Sequence, residues 1–195
     1  MGRPFVLSDW QEWDIVRPLF GWKSLDGKRR FRDAFVAVAR KNGKSSLIAA
    51  IAAYLFLADR EYAAQVYAAA TKEEQAKICF DMARKMIELS PELHKEIKVF
   101  KRVIVNEKTS SRFAPLGGDS KTLDGFSVHA AIIDEYHAHK TSEVYDVLDD
   151  ARGARRQPLL ATITTAGFNV SSPCKKEWDI VTRILDGTLI NENYI

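Results

Sequence analysis

The stretch Phe35-Val36-Ala37-Val38-Ala39-Arg40-Lys41-Asn42-Gly43-Lys44-Ser45, followed by the helix-forming run from Leu47 to Ala58, decides the reading of this chain. An apolar strand, a tight turn and a helix in that order predict a phosphate-binding loop. Backbone N–H groups and the positive end of the new helix then face one point. In such a loop Lys44 reaches the β- and γ-phosphates, and the Ser45 hydroxyl meets a bound Mg2+. The usual pattern starts with Gly where this chain has Val38, so the tripeptide Gly43-Lys44-Ser45 takes its meaning from its flanks. The bland alternative is a basic strand-to-helix turn capped by Ser45.

Far downstream, Val128-His129-Ala130-Ala131-Ile132-Ile133 reads as a short buried strand that ends in Asp134-Glu135. Two adjacent carboxylates at a strand end suit hydrolysis of a bound triphosphate. Asp134 would hold the Mg2+ shell through water, and Glu135 would orient or deprotonate the attacking water. Taken singly, the pair is a solvated start to a loop; with a phosphate loop upstream it becomes a catalytic pair. A third strand, Pro158 to Thr164, runs into Thr165-Ala166-Gly167. Hydroxyls at that strand end could sense the γ-phosphate, although Thr is also an ordinary strand residue.

A length of 195 residues with 46% hydrophobic content suits one α/β domain with a full core. The net charge of +3 excludes a basic nucleic-acid coat. Lys28, Arg29, Arg30 and Arg32 form a local cluster that either meets phosphates or lies in a solvated loop. Cys79 and Cys174 have neither metal nor disulfide spacing. His137 and His139 flank the acidic pair but have no third soft ligand nearby. The N-terminus has no basic segment followed by an apolar core, and Leu47–Ala58 is too short to span a bilayer. A soluble cytosolic protein is expected.

Other elements are punctuated by caps and turns. Ser8 is the expected N-cap of an opening helix, with Gln11 as its capping-box partner and Trp10, Trp13 and Phe20 packed on the core. Gln65–Ala70 reads as a strand. Thr71 then caps a helix with Glu74 as its partner, and Cys79, Met82, Met86 and Leu89 form its apolar stripe. Lys72 and Gln75 are candidates for DNA-backbone contact. Alternation from Ile97 to Leu116 predicts a β-hairpin laid against the main sheet. The segment Asn191–Ile195 shows no closing strand.

As a set, Trp10-Gln11, Arg40 to Ser45, Ala69-Ala70-Thr71-Lys72 with Gln75, Asp124-Gly125, Ile132 to Glu135 and Ile163 to Gly167 resemble the large terminase subunit of tailed bacteriophages, in its N-terminal ATPase domain. The resemblance runs from about Leu7 to Gly167. It implies an α/β fold, a RecA-like P-loop NTPase of the additional-catalytic-Glu class. The central sheet is then mainly parallel, flanked by helices, with an added β-hairpin. ATP and Mg2+ are the implied cofactors. The phosphate cradle would be Arg40, Lys41, Asn42, Gly43, Lys44, Ser45 and Ser46, with Ser45 and Asp134 on the metal side and Glu135 activating water. Thr164 and Thr165 match the motif that couples hydrolysis to movement, and Gln11 matches the adenine-side motif. Arg40 could stabilise transition-state charge within one subunit, since the family often carries Arg or Lys in place of the early loop glycines.

Some terminases use a neighbouring subunit's arginine instead. Arg152, Arg155 and Arg156 are the candidates, and their ordinary reading is a solvated basic turn. Several relatives carry Arg in the loop where this chain has Asp124. The implied function is ATP hydrolysis driving double-stranded viral DNA into the procapsid. Its partners would be the portal protein, the small terminase subunit and further copies in a homo-oligomeric ring, in the cytoplasm of an infected bacterial host and away from any membrane. The 195 residues are expected to form a single ATPase domain. Full-length relatives add a C-terminal nuclease domain; nothing after Gly167 is long or acidic enough to supply one, so no DNA cleavage is expected. Two rivals are a DExH-type helicase core, prompted by Asp134-Glu135-Tyr136-His137, and a non-hydrolysing nucleotide-binding module.

Overall fold

The computed structural model describes residues 4–94, 96–118, 125–165 and 170–195. Asp124, Ala166 and Gly167, named above in motifs and loops, therefore lie outside the described residues. A π-helical turn, Gln11–Val16, runs into α1 (Arg17–Gly21), and β1 (Asp33–Ala37) and α2 (Lys44–Leu57) form the strand–turn–helix unit. Next come β2 (Gln65–Ala70), α3 (Glu73–Glu88), α4 (Pro91–His94), β3 (Ile97–Val99), β4 (Ile104–Asn106) and β5 (Ser111–Gly117). The chain continues through β6 (Val128–Ile133), α5 (Glu143–Asp150), β7 (Leu159–Thr164) and α6 (Pro173–Leu185).

The strands form one sheet in the order β1-β7-β6-β2-β5-β4-β3. The five strands β1, β7, β6, β2 and β5 are mutually parallel; β4 runs antiparallel to β5, and β3 antiparallel to β4. The expected hairpin is present in the β4–β5 pair. It does not lie on the sheet but extends it, because β5 also pairs in parallel with β2.

Both faces of the parallel strands are covered, which is why they read as continuous apolar runs rather than alternating ones. Along β2 and β6, Val66, Ala68, Ala130 and Ile132 face one core with α2 and α3. Their neighbours Tyr67, Ala69, Ala131 and Ile133 face a second core with Val144, Leu148 and Cys174 of α5 and α6. Helix α2 buries Leu47, Ile48, Ala49, Ile51, Ala52, Ala53, Leu55 and Phe56; a helix apolar on all sides belongs inside a domain.

Four sequence expectations shift. The N-cap of α3 is Lys72, with no side-chain cap bond. One residue too early to cap, the Thr71 hydroxyl donates to Gln75 Oε1 at 2.7 Å instead. The helix buries Ala76, Cys79, Phe80, Ala83 and Ile87, while Leu89, at its C-cap, is exposed. Trp13 is also exposed and carries the Arg17 guanidinium 3.8 Å above its ring. Residues Asn193–Ile195 do pair with the outer edge of β1: Phe35 N–H donates to the Ile195 carbonyl at 2.8 Å, and Ile195 N–H to the Asp33 carbonyl at 3.0 Å.

The basic segment before β1 turns inward. Arg29 is 2% exposed and makes two bonds to Asp59, just beyond α2, at 3.2 and 2.9 Å. His129 Nε2, in β6, lies 2.7 Å from the same carboxylate, and Gln157 donates to it at 3.3 Å. Lys28 pairs with Asp26 and Arg30 with Glu192, so the run presents no continuous cationic face. Burial alone would raise the Asp59 carboxyl, but the His129 hydrogen bond and the Arg29 charge hold it below its usual value. Asp59→Ala is expected to destabilise the fold by about 3–5 kcal/mol, because it strands a buried guanidinium. Denaturant unfolding checks this. Asp59 contributes stability that is fully present above the unfolded carboxylate value of about 4 and is lost as pH falls through its lower folded value. The gap between wild type and variant should therefore close in acid.

Candidate nucleotide site at the carboxyl edge of the sheet

Strand β7 lies between β1 and β6, so three strand ends meet side by side. Ala37 is in register with Thr164, and Ile133 with Thr162. The turn after β1, the hydroxyls ending β7 and the carboxylates after β6 therefore share the carboxyl edge of the sheet. Ligands of open α/β sheets bind at that edge.

The turn is built for close approach. Val38 N–H donates to the Thr164 carbonyl at 3.0 Å, which holds the first loop residue against β7. Lys41 and Gly43 are both left-handed, at φ 67° and 72°. A non-Gly residue in that region costs about 1–3 kcal/mol, and such strain collects at functional turns. Asn42 Nδ2 donates to the Ala39 carbonyl at 3.1 Å and closes the loop. Gly43 is the N-cap of α2, with no side-chain cap bond. The alternative of a turn capped by Ser45 is thus not what forms, and the first N–H groups of α2 keep their anion-binding capacity.

The ammonium of Lys44 contacts Glu135 Oε1 and lies 3.3 Å from Asp134 Oδ1. Lys44 is 8% exposed. Asp134 accepts the Glu135 N–H at 2.8 Å, and its own N–H donates to the Ala69 carbonyl at 2.9 Å. Burial raises the Asp134 carboxyl above its ordinary range, against the opposing charge of Lys44. The half-buried Asp134 carboxylate and a serine hydroxyl in the first turn of α2 are both oxygen donors of the kind Mg2+ takes, and a dication would favour the ionised carboxylate. Ser45 and Asp134 fit the metal side in that sense.

Glu135 is left-handed, with φ 50° and ψ 47°. That bend turns the chain into the short 3-10 helix Tyr136–Ala138 and brings His137 back onto Glu135 and Thr164. Thr164 is fully buried, and Thr165 Oγ1 is buried with no hydrogen-bond partner among the described residues. Nothing in the sequence pattern singles out this His137–Thr164 contact; only the β6–β7 adjacency creates it. His139 is instead buried against the Tyr136 ring, and burial lowers its pKa.

Gln11 is 5% exposed. Its Oε1 accepts the Ser8 N–H at 3.0 Å, the expected capping contact, while its Nε2 lies 3.0 Å from where a Cβ on Gly43 would sit. One amide thus caps the opening helix and touches the phosphate loop. Arg40 and Lys41 are exposed and make no ion pair among the described residues.

Two of the candidate arginines for a neighbouring site are committed elsewhere. Arg152 pairs with Asp33 at 2.7 Å and donates to the Arg32 carbonyl at 2.8 Å. Arg155 donates to the carbonyls of Ser127, Tyr62 and Ala63. They staple the opposite edge of the sheet, where the strands begin. Arg156 is exposed there and, with Lys23, Lys28 and Arg60, lines a cavity of about 480 Å3. That cavity sits at the far end of α2, away from the Lys44–Glu135 cluster.

A family model described as the terminase large subunit, ATPase domain, matches residues 9–183. The terminase large subunit of Enterobacteria phage HK97 is 32% identical over 174 residues, which is 87% of this chain and 33% of that protein. Protein YmfN of Escherichia coli is 45% identical over 69 residues, covering 35% of this chain and 15% of that one. The chain thus spans a third or less of the length of these curated relatives. The crystal structure of the HK97 bacteriophage large terminase superposes with a TM-score of 0.81 at 26% identity, over 100% of this chain and 40% of that chain. The large terminase of a thermophilic bacteriophage matches at TM-score 0.66 and 12% identity, over 99% of this chain and 45% of that one, and bears on the fold alone. With its α/β sheet, its phosphate loop and its acidic strand end, the chain belongs to the terminase large subunit ATPase domain family.

Proposed function

We propose that this chain binds and hydrolyses ATP with Mg2+, as the ATPase part of a motor that moves double-stranded DNA into a viral procapsid. The observation that carries this reading is the meeting of Lys44 with Asp134 and Glu135 at the mouth of an uncapped α2. The N–H groups of Lys44, Ser45 and Ser46, with the turn Arg40 to Gly43, cradle the phosphates. The Lys44 ammonium passes from the carboxylates to the β- and γ-phosphates. Glu135 accepts the proton of the attacking water as it bonds to phosphorus and ADP leaves. Mg2+, held by Ser45 and Asp134, supplies neutralisation of charge on the phosphate oxygens.

Arg40, exposed beside the cradle and with no ion pair to its side chain among the described residues, serves the developing charge from within the subunit. Arg156 is the remaining member of the basic turn able to serve a neighbour. Gln11 faces the adenine side with its Nε2, since its oxygen is engaged by Ser8. Thr164 and Thr165 relay the state of the γ-phosphate. Further copies in a homo-oligomeric ring, the portal protein, the small terminase subunit and double-stranded DNA are the partners, in the cytoplasm of an infected bacterial host. The same reading makes these 195 residues one ATPase domain and assigns them no DNA cleavage.

Lys44→Ala should abolish ATP turnover in a phosphate-release assay; undiminished turnover would remove the phosphate-loop assignment. Glu135→Gln should retain nucleotide binding while phosphate release falls by about 10²-fold or more, the scale of a lost general base. Equal release by wild type and this variant would indicate a module that only binds nucleotide. If subunits complete one another's sites, specific activity should climb with protein concentration; a flat dependence speaks against the ring.

A further inference from the structure

We propose that His137 is a positioning residue for Glu135, tethering its carboxylate to the end of β7 when Lys44 leaves for phosphate. This rests on the ATPase reading above. The two oxygens of Glu135 are held from different directions. Oε1 meets the Lys44 ammonium, and Oε2 lies 3.2 Å from His137 Nδ1. The same Nδ1 lies 3.0 Å from Thr164 Oγ1, and the His137 backbone N–H donates to that hydroxyl at 3.2 Å.

The hydrogen-bond pattern calls for a proton on Nδ1. Thr164 gives its hydroxyl hydrogen to the Thr165 carbonyl at 2.9 Å, so Oγ1 acts as an acceptor towards His137. A carboxylate can only accept. Both neighbours of Nδ1 are therefore acceptors, so Nδ1 carries a proton that it gives to Thr164 Oγ1, with Glu135 Oε2 within ion-pair reach of the same nitrogen. The anchor is firm, since Thr164 is fully buried in a strand paired on both sides.

This arrangement matters because Lys44 has two competing uses. A triphosphate draws its ammonium away and frees Oε1, the atom needed to accept a proton. The Glu135 side chain is 34% exposed and would then be free to rotate. The Nδ1–H contact keeps Oε2 in place, so the vacated oxygen stays aimed into the site. Because the anchor is Thr164, the carboxylate's position also follows any shift at the end of β7. Misplacing a catalytic group by about 1 Å can cost on the order of 10²-fold in rate.

The test compares His137→Ala and His137→Asn, whose side-chain amide places an N–H near the Nδ1 position. For His137→Ala the expected result is a fall in kcat of roughly tenfold, with nucleotide Kd within about twofold of wild type and an unchanged unfolding midpoint. His137→Asn should recover most of kcat. An unchanged kcat in the alanine variant, or losses of Kd and unfolding midpoint that match the loss of kcat, would overturn the proposal. Histidine ¹⁵N NMR of the nucleotide-free wild type gives a readout independent of turnover and should show His137 protonated at Nδ1. A ring without a proton on Nδ1 refutes the tether whatever the activity. An Nδ1–H ring in a wild type that hydrolyses no ATP would refute the ATPase reading, and with it this role for His137, while leaving the contact itself intact.

Discussion

One ammonium group, Lys44 Nζ, holds together parts of the chain that share no other reason to meet. It joins the first turn of α2 to the carboxylates that end β6. Two adjacent acidic side chains at a partly buried strand end repel each other and resist losing water. A nearby fixed cation makes the arrangement tolerable. Burial still raises the Asp134 carboxyl, even against the nearby charge of Lys44.

Sheet order turns this pairing into a site. With β7 between the strand that precedes the loop and the strand that delivers the carboxylates, the Thr164 hydroxyl falls between the loop after β1 and the acidic end of β6. The opposite edge is locked just as firmly, by Arg29 with Asp59 and by Arg152 with Asp33. Helix α2, about 21 Å long at 1.5 Å per residue, spans the distance between the two edges.

Much of this was legible in the residues. The strand Gln65–Ala70 and the loop from Arg40 to Ser45 could be read because periodicity and turn chemistry act locally. The acidic pair could be placed at a strand end for the same reason. What escaped was decided by contacts between distant residues. Arg29 looks like any solvated basic residue until Asp59, His129 and Gln157 surround it. Leu89 was drawn into a stripe by its spacing, but it sits at the C-cap of α3, where the helix has already ended. His137 carried only the suggestion of a motif; its bond to Thr164 requires the β6–β7 pairing, which no local pattern reveals. The N-cap of α3 moved by one residue, the ordinary scale of error at a helix end.

The sheet also has two outer margins, and both are guarded. On one side β3 is only three residues long, with Lys98 and Glu107 paired at 2.6 Å and Lys108 and Glu96 at 2.9 Å along its rim. On the other, Asn193 and Ile195 occupy main-chain groups of Arg32, Asp33 and Phe35. Short, charged or occupied rims discourage strand addition and the fibrous clumping that follows from it. Copies of such a domain can crowd together at high local density and still meet through helices and loops, leaving each sheet's own registry undisturbed.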